Sequence, residues 1–369
     1  MKKHYIIFLL TITMLLSGCF SYSDINKVLF VTSIVIDVDD NNNVVLYLES
    51  FLPFRSSSNQ SAKGERILFK GSGKTVYEVM KDVNLTSSYK LNYTQNRAII
   101  FTKKAAEYGI DNFIDAFNRQ QELLIRPYVL VYLGDTEKLM KLKLKEEEYI
   151  GVFINNLINN QQSSSRTVQV HLNNFLIDRN LGSKTTVVTT LSLAKDQIEE
   201  KLKADGGTII KNDKFAGVLD KQDGEKYNFL INNVKEGTLE PENPDKKGKF
   251  ITLDISDSNT KTTLEYDGKK IHLNKTINTK VAIADVQDKF DINKSNIGKL
   301  QDNAEQNIKK LCMDLFEKYK KDKLDIFHIQ EEFERKYPEE KLENAIEKTD
   351  INVQVNVKIR DTLERFDFK

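Results

Sequence analysis

The first nineteen residues constrain this chain more than any other stretch. MKKHYIIFLLTITMLLSGC opens with two lysines, Lys2 and Lys3, and continues as a nearly unbroken apolar run of twelve residues, Tyr5–Leu16. A membrane-spanning helix needs about 20 such residues, whereas the core of a signal peptide needs roughly 7–15. The run ends in Leu16-Ser17-Gly18-Cys19, which fits a lipobox. Ser17 and Gly18 are small enough to pass through a processing site. The Cys19 thiol can take a diacylglycerol before cleavage makes it the new N-terminus. Residues 1–18 are therefore expected to be a signal peptide, and Cys19 the lipidated start of an exported, membrane-tethered chain. Acyl chains hold a protein at a bilayer because each buried methylene contributes about 0.8 kcal/mol.

The tether uses one of only two cysteines. Cys312 then has no partner, no disulfide framework is available, and the remaining chain must be held by apolar packing. Cys312 itself lies in a helical pattern and reads as a small buried apolar residue. The mature length of about 350 residues suggests two or three domains. Without Lys2 and Lys3, 53 basic residues face 54 acidic ones. That balance argues against a nucleic-acid partner.

Val28–Asp37 (VLFVTSIVID) is a β-branched apolar run, hence a buried strand, and VVLYLESF after the polar turn DVDDNNN makes a hairpin. The alternate spacing of Asp37, Asp39 and Asn41 resembles a calcium loop. Its sixth position is Asn42 rather than glycine and its twelfth is Leu48 rather than glutamate, so a plain polar turn is expected. Strands at Arg66–Lys70, Arg97–Thr102 and Ile125–Leu133 alternate with helices from Thr75 and over Asp111–Arg119. This is an α/β or α+β layer. From Glu146 a helical pattern runs into NNLINNQQSSSR, a loop or hinge by composition. A helix over Val168–Asp178, a strand over Thr185–Leu193 and a hairpin about Asn212-Asp213 follow. Leu239–Gly248 (LEPENPDKKG), with two of the five prolines, is the best linker. Beyond it lies antiparallel strand material with Asp267-Gly268 as a turn. A helix over Lys294–Asp322 carries one stripe through Ile297, Leu300, Ala304, Ile308, Leu311, Cys312, Leu315, Phe316 and Tyr319. Asp350–Ile359 alternates strictly, as a strand. The expected fold is multi-domain, mixed α/β or α+β, with three domains: 19–140, 141–237 and 238–369. The last is expected to be an antiparallel sheet backed by one long helix.

GSGKT at residues 71–75 has the letters of a nucleotide-binding P-loop, but the first glycine that loop requires falls at position 68, which is Leu68. Export also places the chain where ATP is scarce. The better reading is a helix start near Thr75, with Glu78 at the positive end of the helix dipole. His171, His272 and His328 are scattered through different elements, and HExxH, GxSxG and a supported Cys–His pair are absent. No catalytic residue, cofactor, metal or nucleotide is expected, although a carboxylate dyad with members far apart in the chain stays open.

The order of these pieces resembles the Ger(x)C family, the C-subunit lipoproteins of bacterial spore germinant receptors. Val31-Thr32-Ser33-Ile34-Val35-Ile36-Asp37 is similar to the family's V-T-G-x-x-I-D. Gly73-Lys74-Thr75-Val76-Tyr77-Glu78 is similar to its G-x-T-hydrophobic-x-E helix start. Tyr108-Gly109-Ile110, Arg119 and Arg126-Pro127 follow in order. Gly207–Leu219 (GTIIKNDKFAGVL) resembles the G-x-A-hydrophobic-F-K-x-D-K-L-V-G-x-L hairpin, Asp325-Ile326-Phe327-His328 resembles D-I-F-G, and Tyr337-Pro338 also falls in place. The likeness covers nearly the whole mature chain. It departs after Cys19, where the family often has Trp-Asp: here Phe20-Ser21-Tyr22-Ser23-Asp24 follows, and the chain has no Trp. The resemblance implies a three-domain α/β protein on the outer face of the spore inner membrane. It implies two membrane partners, an A subunit with membrane spans and a B subunit resembling an amino-acid transporter, and it supplies no catalytic residues.

The leading expectation is thus a lipid-anchored, non-enzymatic subunit of a nutrient germinant receptor. The alternative is a lipoprotein that captures a small nutrient itself, although no repeated βα pattern marks two similar lobes. An exported cell-wall hydrolase is a third reading, for which no carboxylate can be named.

Overall fold

The computed structural model describes residues 27–53, 65–119, 123–160, 165–194 and 198–360. The chain enters on the hairpin β1 (Val28–Val38) and β2 (Val44–Phe51), to which β3 (Arg66–Gly73) adds an antiparallel strand. Helix α1 (Val76–Val83) leads to the short β4 (Lys90–Asn92) and to β5 (Ala98–Thr102). Helices α2 (Lys103–Tyr108) and α3 (Asp111–Arg119) lead to β6 (Tyr128–Tyr132). Helices α4 (Thr136–Lys141), α5 (Ile150–Asn160) and α6 (Leu172–Asp178) precede β7 (Thr185–Ala194), β8 (Lys201–Lys211) and β9 (Lys214–Leu219). Helix α7 (Lys221–Leu230) then crosses to β10 (Gly237–Leu239), β11 (Ile251–Tyr266) and β12 (Ile271–Val286). The long α8 (Lys294–Lys321), α9 (Ile329–Lys336) and β13 (Thr349–Ile359) complete the described chain.

Two sheets organise these elements. The first runs β3-β2-β1-β5-β6-β7-β8-β9, with β4 pairing the start of β1. Its centre, β1-β5-β6-β7, is parallel, and antiparallel hairpins flank it on both sides. A parallel sheet must be covered on both faces, which is why VLFVTSIVID, AIIFT and YVLVY read as unbroken apolar runs rather than as alternation. One face packs on Val79 and Met80 of α1, Phe113 and Phe117 of α3 and Phe175 of α6. The other packs on Leu139 of α4 and Ile154 and Ile158 of α5. The domain edge expected at 140–141 lies inside this sheet, because β6 and β7 on either side of it are hydrogen-bonded neighbours.

The second sheet is β10-β11-β12-β13. Strands β11 and β12, sixteen residues each, form a hairpin whose residues largely alternate between buried and exposed. The last strand corrects the expected all-antiparallel arrangement: β13 runs parallel to β12 in register, Ile271 opposite Thr349 through Val281 opposite Ile359. The cause is the intervening helix. A long α8 returns the chain to the end from which β12 started, so the next strand must run the same way. The expected stripe on α8 is the buried face, with Leu300, Ala304, Ile308, Cys312, Leu315, Phe316 and Tyr319 inside, while Leu311 is half-buried.

Two local expectations change. The asparagine-rich stretch after Glu146 is helical as far as Asn160, because Ile154 and Ile158 bury one face of α5 and leave the asparagines on the other. The helix expected over Val168–Asp178 begins only at Leu172, and the preceding residues form bridges to strand edges. The turn at Asn212-Asp213 is as expected: both residues have positive φ, 49° and 63°, as a two-residue hairpin turn requires.

Candidate functional site

Several of the stretches that carried the family resemblance do structural work. Asp37 ends β1 and ties down the neighbouring strand ends. One carboxylate oxygen accepts from the Thr102 hydroxyl at 2.7 Å and the other from the Thr136 hydroxyl at 3.0 Å. Thr102 is in turn the cap of α2, accepting from the Ala105 N–H. Asp39 accepts from the backbone N–H of Asn41 and Asn43, both at 2.8 Å, so the DVDDNNN segment is a polar turn, as expected.

The GSGKT segment ends β3 and starts α1. The Thr75 hydroxyl accepts from Glu78 N–H at 3.2 Å, and Glu78 reaches back to the N–H groups of Thr75 at 3.3 Å and Lys74 at 2.8 Å. This is a capping box. The N–H groups that would cradle a phosphate in a P-loop are occupied by the protein's own carboxylate.

Thr32 and Ser33 converge on Glu49, which is fully buried. Glu49 accepts from the Thr32 hydroxyl at 2.7 Å, the Ser33 hydroxyl at 3.1 Å and the Arg66 guanidinium at 2.6 Å. It also accepts from the N–H groups of Ile150 at 2.8 Å and Gly151 at 3.0 Å, the first turn of α5. A buried charge survives only when paired and hydrogen-bonded, and Glu49 is both. Gly151 lies so close to β1 that an added Cβ would fall 2.1 Å from the Thr32 carbonyl oxygen.

The hairpin β8–β9 is clamped from outside by a bidentate pair: Arg179 donates to both carboxylate oxygens of Asp213, each at 2.7 Å. In the DIFH segment Asp325 is buried and accepts from the N–H groups of Ile329 at 3.0 Å and Gln330 at 2.7 Å. Burial pushes its carboxyl above the ordinary carboxylate range, against those two bonds. Every one of these carboxylates is engaged by protein donors, which leaves none of them poised as a general base.

Two places stand apart from this scaffold. A cleft of about 370 Å³ opens between α7 and α8. Its lining includes Arg166, Glu225 and Glu240 as charged groups and Phe229, Leu311 and Cys312 as apolar ones. Arg166 stands 3.4 Å from Glu225 and 3.6 Å from Glu240. Burial raises the Glu225 carboxyl to about 7; Arg166 opposes the rise and Glu240 adds to it. Next to it, Asp223 is held below the usual range despite its burial, because Lys318 at 2.6 Å and Lys226 at 2.9 Å pair with it. Cys312 is buried and free, as expected, and burial pushes its thiol up to about 12, which makes it inert. The second place is where Asp178, His328 and Glu331 meet, their ligand atoms within 4.8 Å of one another. No sequence signal brought these residues together: Asp178 ends α6, and the other two lie about 150 positions further on.

The residues expected to carry the tether, Leu16, Ser17, Gly18 and Cys19, lie outside the described residues. Among the described residues no helix is long and apolar enough to cross a membrane.

Comparison with known proteins divides the chain between β7 and β8, within the first sheet. Residues 21–193 match the spore germination protein N-terminal domain, and residues 205–363 match the spore germination B3/GerAC-like C-terminal domain. The chain therefore belongs to the Ger(x)C family of spore germination proteins. Spore germination protein GerQC of Bacillus cereus is 23% identical, covering 72% of this chain and 74% of its own length. Spore germination protein B3 of Bacillus subtilis is 21% identical over 83% of each chain. The crystal structure of the GerBC protein superposes with a TM-score of 0.57 at 16% identity, covering 89% of this chain and 97% of the other. That likeness establishes the shared fold.

Proposed function

We propose that this chain is a lipid-anchored, non-enzymatic subunit of a nutrient germinant receptor. Cys19 holds it on the outer face of the spore inner membrane, where it works by contact with the A and B membrane subunits. The observation that carries the reading is the match of both halves of the chain to domains of spore germination proteins, at 21–193 and 205–363. The saturation of the motif carboxylates by protein donors supports a contact role over a catalytic one. Relatives named as spore germination proteins support the setting. The test is dipicolinate release from spores lacking this chain, given nutrients and, separately, a trigger that bypasses receptors. The expected outcome is a lost nutrient response with a normal bypass response, and the same phenotype from Cys19→Ala. Normal germination in both arms overturns the proposal.

A further inference from the structure

The meeting point of Asp178, His328 and Glu331 has the composition and geometry of a metal site. Its donors are one imidazole and two carboxylates, with ligand atoms mutually within 4.8 Å. All three residues are half-buried, so the site is shielded yet reachable. The set is built from two distant segments, the end of α6 and the start of α9.

Both segments are held from outside the cluster. Arg179, next to Asp178, is fixed by its bidentate pair with Asp213. Asp178 itself accepts from the Thr186 hydroxyl at 3.2 Å, which orients its carboxylate. Gly182 packs against the backbone of Glu331 so tightly that an added Cβ would fall 2.6 Å from the Glu331 nitrogen. The Ser183 hydroxyl donates to the Asp325 carbonyl at 3.3 Å, and the Lys211 ammonium to the Lys323 carbonyl at 3.0 Å. His328 adopts left-handed backbone, φ 59° and ψ 32°, which is uncommon for a non-glycine residue and persists only where the surroundings impose it. At that conformation its Nδ1 stands 3.8 Å from the Glu331 carboxylate, too far for a hydrogen bond and well suited to two ligands sharing one ion.

We infer that Asp178, His328 and Glu331 bind a divalent transition ion of the zinc class, which bridges the first sheet's layer to the C-terminal unit. Mixed imidazole and carboxylate donors favour zinc over the oxygen-only sets of calcium and magnesium. Three protein ligands leave a fourth position to water or to a donor from outside the chain.

The experiment is calorimetric titration of the full chain, purified in detergent and stripped with EDTA, with Zn²⁺, and with Ca²⁺ and Mg²⁺ as controls. One Zn²⁺ per chain is expected, with a rise in Tm on loading and no comparable response to Ca²⁺ or Mg²⁺. Asp178→Asn and His328→Asn should each weaken Zn²⁺ binding at least tenfold. Asparagine tolerates left-handed backbone, so His328→Asn removes the imidazole while keeping the turn. Far-UV circular dichroism of both variants should match that of the parent. Absence of stoichiometric binding overturns the inference, and so does undiminished binding by the two folded variants.

Discussion

Glu49 shows how much one side chain can carry. Its carboxylate joins β1, β3 and the first turn of α5 through five donors, two of them backbone N–H groups of a helix start. Replacing it by alanine strands the Arg66 guanidinium, which is mostly buried, and leaves those N–H groups without their acceptor. Breaking a buried pair in this way costs about 3–5 kcal/mol. Glu49→Ala should lower the urea midpoint accordingly with an unchanged slope. A loss below about 1 kcal/mol, the level of a solvent-exposed pair, would show that the network is dispensable. Little of this was legible beforehand. VVLYLESF reads as a strand whatever its glutamate touches, and the decisive partners come from 101 and 102 positions away. The Thr75–Glu78 pair could be read as a helix start because both members sit within one turn.

Helices α7 and α8 set a different balance at their shared cleft. Glu225 has a folded-state value near 7 against an ordinary 4.5, so the fold favours its protonated form. The sign follows: its contribution to stability is complete below pH 4.5 and is lost as pH rises to about 7. Measured by denaturation across pH 4.5–8, the parent should lose up to about 3 kcal/mol relative to Glu225→Gln, which cannot ionise. Parallel pH profiles for the two proteins would contradict this. Of the elements themselves, α8 was read nearly to the residue, since steps of three and four sustained from Ile297 to Tyr319, about six turns, have no competing explanation. Helix α7 was missed because KQDGEKYNFL gathers its apolar residues at one end instead of along a stripe. The direction of β13 was not legible either: strict alternation is the same in parallel and antiparallel strands, and only the helix before it decides the matter.

The two sheets do not have separate interiors. Val168, Val187, Ile209 and Leu219 belong to the first sheet's layer. They pack in one cluster with Phe229 and Leu230 of α7 and with the second sheet's Ile251, Leu253 and Ile277. A shared core couples the stabilities of the parts it joins. The full chain in urea should therefore unfold in a single transition, with far-UV circular dichroism and the fluorescence of its 14 tyrosines coinciding. Two separated transitions would show that the interface is weaker than either unit. At this scale the stretch Leu239–Gly248 is no linker between units: β10 already pairs with β11, so it is a loop within the second sheet, and Pro241 and Asn243 in it are buried. The sheet's continuity past 140 was hidden, since the pairing of β6 with β7 skips three helices.

Strand β1 begins at Val28, with Lys90 beside it and Phe51 beside Phe30 at the same end of the sheet. Under the lipid tether proposed at Cys19, nine residue steps separate the anchor from that strand, which at about 3.3–3.6 Å each reach roughly 30 Å at full stretch. Such a mooring would keep that end of the sheet within a layer of membrane-proximal solvent. It would also turn every encounter with a neighbour in the same bilayer into a search in two dimensions. The affinity such a protein needs for a membrane partner is then set by how crowded that layer is, and a contact that would be negligible in free solution can stay occupied.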